Sequence, residues 1–205
     1  MKKTICSLFI ISLILNACQG GEKDKMEEEK NLSLNGKRIL MVIAPENFRD
    51  EEFQEPYTLF TNEGAQVIVA STDTTEAQGM LGMKVKPDKL LQDVNVLDFD
   101  AIVLIGGSGS PALWENEILH KHLKTAFENE KVIGAICLSP VTLVKAGLIT
   151  GKTVACYKTP DVERIFRENN VMFSDETVKV IGHIVTANGP PAAKAYAKKI
   201  AELLK

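Results

Sequence analysis

Aromatic residues are scarce in this chain, at 6% of 205 residues, and Trp114 is the only tryptophan. Cysteine is scarcer still: four residues in this length exclude a disulfide-dense scaffold. There is no surplus of cations, since 24 Lys and Arg stand against 27 Asp and Glu for a formal charge of −3. A nucleic-acid partner is therefore not expected. Three histidines leave little room for a metal centre, and two of them, His120 and His122, are spaced i, i+2 on a helical segment and point to different faces. His183, in Gly182-His183-Ile184, reads as a solvated turn or strand-start residue. No apolar run reaches the roughly 20 residues that span a bilayer.

What the chain does have is a marked amino end. Met1-Lys2-Lys3 precedes an apolar run from Thr4 to Leu15, which reads as the basic and hydrophobic regions of a secretory signal. The run stops at Leu15-Asn16-Ala17-Cys18, which resembles the lipobox of bacterial lipoproteins. That resemblance implies cleavage after residue 17, acylation of Cys18, and a membrane-anchored protein of the bacterial cell envelope. Two or more acyl chains make such anchoring stable. Residues 19–35 hold five acids, three bases and few large apolar groups, and cannot bury enough surface to fold alone. Residues 18–35 are thus expected to be a flexible charged tether, with one folded domain over 36–205.

In that domain, apolar runs of strand length occur at 38–43, 66–71, 101–105 and 132–136, with a fifth expected at 153–156. Between them, helical spacing predicts helices over 50–63 (Gly64 as the stop), 114–129, 140–146 and, closing the chain, 192–204. Residues 79–85 and 178–187 read as shorter, more exposed strands or hairpins. Strands apolar on both faces, alternating with helices, imply an α/β fold with a mostly parallel sheet covered on each side. Ligands collect at the carboxyl ends of such strands near the switch point. Three of the strands lead there to suggestive residues: Glu52, Gly106-Gly107 and Cys137.

Ala135-Ile136-Cys137-Leu138-Ser139-Pro140 has the small-residue spacing of a nucleophile elbow, and the helix that follows is expected to favour the thiolate. A buried structural cysteine fits the same spacing. Glu52, flanked by Glu51 and Glu55, reads equally as a solvated helix charge, and the Gly-Gly-Ser-Gly turn at 106–109 equally as a phosphate cradle.

Ala44-Pro45-Glu46-Asn47-Phe48-Arg49-Asp50-Glu51-Glu52 with Pro56, then Leu104-Ile105-Gly106-Gly107 through Pro111, then Ala135-Ile136-Cys137 through Pro140 and on to Ala146-Gly147-Leu148, resemble three motifs of the DJ-1/PfpI family in the same order. The resemblance covers about residues 37–204. It implies a flavodoxin-like three-layer sandwich, a homodimer, no cofactor, and a reactive Cys137 beside the acid Glu52. It further implies an oxyanion pocket formed by Gly106, Gly107 and the N–H of Leu138. The implied activity is of glyoxalase, deglycase or hydrolase type on a small electrophilic carbonyl substrate; the alternative is a redox-sensing or stress-response protein with an oxidisable cysteine. The histidine that follows the cysteine in many hydrolase-like members is replaced here by Leu138. The one that others carry on the next strand is replaced by Tyr157, a pocket residue in this reading. Cys156 is expected to pack within a strand, a disulfide with Cys137 being the less favoured reading.

Overall fold

The computed structural model describes residues 33–205; the signal segment, Cys18 and the tether as far as residue 32 lie outside the described residues. In chain order the strands and helices are β1 (Arg38–Val42), β2 (Glu46–Phe48), α1 (Asp50–Asn62), β3 (Gln66–Ser71), β4 (Ala77–Gly79), β5 (Lys84–Val85), β6 (Lys89–Leu90), β7 (Ala101–Leu104), α2 (Glu117–Glu128), β8 (Val132–Ile136), α3 (Pro140–Lys145), β9 (Thr153–Val154), α4 (Pro160–Glu168), β10 (Met172–Phe173), β11 (Val178–Ile181), β12 (Ile184–Ala187) and α5 (Ala193–Leu204).

Seven strands form the central sheet in the order β11-β12-β8-β7-β1-β3-β6. All neighbours are parallel except β11, which runs antiparallel to β12 at one edge. The period of two divides each strand between two cores. Along β1 and just beyond it, Ile39, Met41 and Ile43 face one layer while Leu40, Val42 and Ala44 face the other. The first layer is closed by Phe53 and Phe60 of α1 and by Tyr196, Ala197 and Ile200 of α5. The second is closed by Leu119 and Leu123 of α2, Val141 and Val144 of α3, and Val162, Ile165 and Phe166 of α4. This is the α/β three-layer sandwich that the strand pattern implies.

The fifth parallel strand differs from the expected one. Thr153–Val154 does not enter the sheet but pairs with Met172–Phe173 in a separate two-stranded ribbon. Its place beside β8 belongs to Ile184–Ala187, every residue of which is buried. The buried Thr186 hydroxyl accepts the Ala155 N–H at 3.0 Å, so the displaced segment still packs against the sheet. The helix expected from Trp114 begins at Glu117, because the Asn116 side chain accepts the Leu119 N–H at 2.8 Å and fixes the start there. Helix α4 was not anticipated, although Thr159 as cap and Pro160 in the first turn are ordinary start signals. Gly64 does end α1: with φ +90°, its N–H reaches the Thr61 carbonyl, and the Ala65 N–H reaches that of Phe60. The packed region also starts before residue 36. Leu34 is fully buried and its N–H donates to the Glu63 carbonyl at 2.8 Å.

The register brings the strand ends level. Val42 lies beside Leu104, Leu104 beside Ala135, and Ile136 beside Ala187. From β1 the chain crosses to β3 on one side and β7 on the other, so the crevice of an open α/β sheet falls at the ends of β1, β7 and β8.

Candidate active site

Cys137 follows β8 directly, and its φ of +63° puts it in the left-handed region that residues with a Cβ seldom occupy. The surroundings hold it there. Its N–H donates to the Ala187 carbonyl at 2.9 Å, and its own carbonyl accepts the Tyr157 N–H at 2.9 Å and the Cys156 thiol at 3.0 Å. Ser139 closes the turn, with its N–H on the Ile136 carbonyl and its hydroxyl on that of Ile105 at 2.7 Å. Pro140 then opens α3. This is the strand–turn–helix elbow expected from the small residues at 135 and 139.

Glu52 is the third residue of α1 and is fully buried. Its Oε2 accepts the Gly106 N–H at 3.1 Å, while Oε1 is buried without a hydrogen-bond partner. A Cβ on Gly106 would lie 2.4 Å from both Glu52 Oε2 and Cys137 Cβ, so acid and sulfur-bearing residue meet over this glycine. Gly107, at φ +113°, is equally constrained: a Cβ there would strike the Asn47 carbonyl oxygen at 2.3 Å and the Arg49 nitrogen at 2.5 Å. The Arg49 N–H donates to the Gly106 carbonyl at 2.9 Å, tying the start of α1 to the end of β7. Asp50, also buried, accepts the N–H groups of Leu81 and Met83 at 2.8 and 2.7 Å and so holds the β4–β5 turn over the site.

Burial dominates the electrostatics. It pushes Glu52 up to about 7, against the opposing pull of the neighbouring Cys137 thiol, the Gly106 N–H and Arg49. It pushes the Cys137 thiol up to about 12, aided by the charge of Glu52 and opposed by the N–H groups of Gly107 and Leu138. The expectation that the following helix favours thiolate is thus overturned. With 7% of the residue exposed and only six residues in α3, desolvation outweighs the dipole. Near neutral pH the pair holds a neutral thiol and an acid poised between its two states.

The sulfur opens onto a pocket of about 310 Å³ lined by Arg49, Met80, Gly107, Ser108, Leu138, Tyr157 and Pro190. Tyr157, half exposed, and Pro190 also border a second pocket that contains Cys156 and Lys158. Of the expected oxyanion donors, Gly107 and Leu138 direct N–H groups at the sulfur. Gly106 differs, because its N–H is engaged by Glu52. Cys137 and Cys156 are both free thiols, and the Cys156 thiol bonds to backbone rather than to Cys137 Sγ. No histidine enters the site. His120 and His122 each place Nε2 on a backbone carbonyl, of Trp114 and Leu91 respectively. His183 precedes β12 at the opposite end of the sheet and packs at a tilt against Phe127. Arg49, Asp50, Met80 and Pro190 are the site residues that sequence reasoning missed. Arg49 and Asp50 lay within a quoted motif, but nothing in residue type or spacing marked them.

The model of the DJ-1/PfpI family matches residues 37–203. The chain is 37% identical over 201 residues to an uncharacterized protein of Methanocaldococcus jannaschii, covering 98% of this chain and 96% of that one. It is 30% identical over 168 residues to the glutathione-independent glyoxalase DJR-1.2 of Caenorhabditis elegans, covering 82% and 89%. Among solved structures, the ThiJ/PfpI domain protein from Brachyspira murdochii superposes with a TM-score of 0.77 at 34% identity, over 82% of this chain and 98% of that one. The elbow cysteine, the buried acid and the glycine turn between them thus sit on a family scaffold matched almost from end to end: the chain belongs to the DJ-1/PfpI family.

Proposed function

We propose that this protein is a cofactor-independent cysteine enzyme of the glyoxalase or deglycase type, acting on 2-oxoaldehydes or the adducts they form. The observation that carries the reading is the meeting of Cys137 and Glu52 over Gly106. Similarity to a worm protein named as a glutathione-independent glyoxalase supports it.

The chemistry follows from the groups present. A neutral thiol needs a base, and a carboxylate whose pKa is about 7 is matched to that task. Glu52 takes the thiol proton as the sulfur adds to the aldehyde carbon. The carbonyl oxygen, negative in the transition state, is met by the N–H groups of Gly107 and Leu138 and then receives the proton, giving a hemithioacetal. Glu52 next removes the hydrogen on the former aldehyde carbon as a proton and returns it to the adjacent ketone carbon, while the hemithioacetal hydroxyl proton passes to the ketone oxygen. The product is a thioester of a 2-hydroxy acid, which water hydrolyses to free the thiol. One carbon is oxidised and its neighbour reduced, so methylglyoxal plus water gives lactic acid with no external oxidant or reductant.

The test is lactate formation from methylglyoxal by the full chain. Cys137→Ser is expected to abolish turnover, whereas equal turnover by the wild type and this variant would remove the proposal. The alternative reading, in which Cys137 is a sensor oxidised to the sulfinate, uses the same N–H groups. It draws less support, because a buried thiol with a raised pKa lacks the exposed thiolate character that peroxide selects.

For the segment outside the described residues, the proposal remains a signal at 1–17 and a lipid on Cys18. The motif at 15–18 supports anchoring in a bacterial envelope. A Cys18→Ser chain that still entered the detergent phase would count against it. We carry forward the homodimer on the family resemblance alone; a sedimentation measurement finding only monomer would refute it.

A further inference from the structure

We propose that the Cys137 pocket selects carbonyl compounds that carry a carboxylate or another small oxyanion, and that Arg49 binds that group. The inference rests on the reading of Cys137 as the nucleophile and adds the charge class of its substrate.

Among the described residues, Arg49 is the only charged side chain lining the pocket. Much of the remaining wall is apolar, from Met80, Leu138 and Pro190. Such walls exclude water and strengthen any charge pairing inside. The backbone of Arg49 is fixed to the same turn that organises the reacting groups, through its N–H on the Gly106 carbonyl at 2.9 Å.

Its guanidinium is held in plane by Glu51, which accepts Nε–H at 2.7 Å and Nη2–H at 2.9 Å. That two-point grip leaves the Nη1 donors for a ligand, in the planar geometry that suits carboxylates and phosphates. The ion pair is also oriented. The arginine side chain is 27% exposed and lines the pocket, whereas the glutamate is 42% exposed and does not. Of the two partners it is thus the cation that forms part of the pocket wall, and its counter-charge lies outside that wall. Glu52, the other acid near the sulfur, is buried and opposes an incoming anion least when it is protonated, below about pH 7.

The test compares two alkylating reagents of similar size on one sulfur. Iodoacetate is anionic and iodoacetamide neutral; with either one, a sulfur–carbon bond forms at Cys137, iodide leaves, and the thiol proton passes to Glu52 or water. The ratio of the two rates at Cys137, read by mass mapping of the full chain at pH 6, cancels the supply of thiolate. Arg49→Gln is expected to lower the iodoacetate-to-iodoacetamide ratio by about fivefold, the scale of a partly exposed ion pair. Arg49→Lys, which keeps the charge, is expected to recover most of the ratio, and thermal melts report that each variant is folded. A ratio unchanged in folded Arg49→Gln overturns the proposal, as does failure of Arg49→Lys to restore a lowered ratio. The readout does not need turnover. An Arg49-dependent ratio in a chain that makes no lactate keeps this inference and removes the glyoxalase reading, and the converse result removes only the inference.

Discussion

Glu52 carries a cost that the rest of the molecule absorbs. Its pKa is pushed up from 4.5 to about 7 because burial disfavours the carboxylate. The folded state therefore holds a proton that the unfolded chain releases at lower pH. Stability linked to this group is fully present below about 4.5 and is lost as pH rises through about 7. The span corresponds to roughly 3 kcal/mol. Glu52→Gln, which cannot ionise, is expected to remove most of that decline. Denaturant melts at pH 5 and pH 8 check this, and an undiminished pH 5-to-8 loss in the variant would place the charge elsewhere. At this scale the sequence was only partly readable. Cys137 announces itself through its small neighbours, but Glu52 stands in an acidic run, and only the close approach of Gly106, 54 residues away, separates it from a surface charge. The direction of the thiol shift is not legible in the sequence for the same reason, since desolvation is a property of the packed site.

The elements that carry the site are turns at strand ends, and a glycine there differs in kind from one that ends a helix. A Cβ on Gly106 meets the Ile136 carbonyl oxygen at 2.7 Å as well as the two reacting residues, so Gly106→Ala must move groups that have no room to move. A loss of about 1–3 kcal/mol and of nearly all turnover is expected. Gly147, just after α3, has a positive φ of +79°, which Gly106 does not, but a Cβ there meets nothing within 4 Å. Gly147→Ala is expected to lose only the backbone term of about 1–2 kcal/mol and to keep its turnover. Parallel denaturation and lactate assays separate the two, and equal effects on turnover would contradict the assignment. Most elements could be read from local pattern because β1, β3, β7 and β8 are continuous apolar runs. Residues 153–156 and 184–187 could not be ranked that way. Both are short and apolar, and only pairing with β8 decides which enters the sheet.

Across the whole molecule, the parallel sheet explains why residues from three distant parts of the chain converge. Level registers put the ends of β1, β7 and β8 side by side, and each crossover delivers one component: the acid from α1, the glycine turn after β7, the sulfur after β8. Alternation of strands and helices was enough to foresee this arrangement. The pocket wall was not foreseeable, because Met80 reaches the site through its N–H on the Phe48 carbonyl and the hold of Asp50 on the β4–β5 turn, and Arg49 is tied to Gly106, all contacts that only the packed fold makes. The central claim is that buried Glu52 serves as the base for the Cys137 thiol. The most direct test is kcat/KM for methylglyoxal against pH, in the wild type and in Glu52→Gln. With ionised Glu52 as the proposed base, the wild-type value should rise with pH and level off above about 7, while Glu52→Gln should lie far lower and lack that step. A Glu52→Gln profile that overlays the wild type would contradict the account.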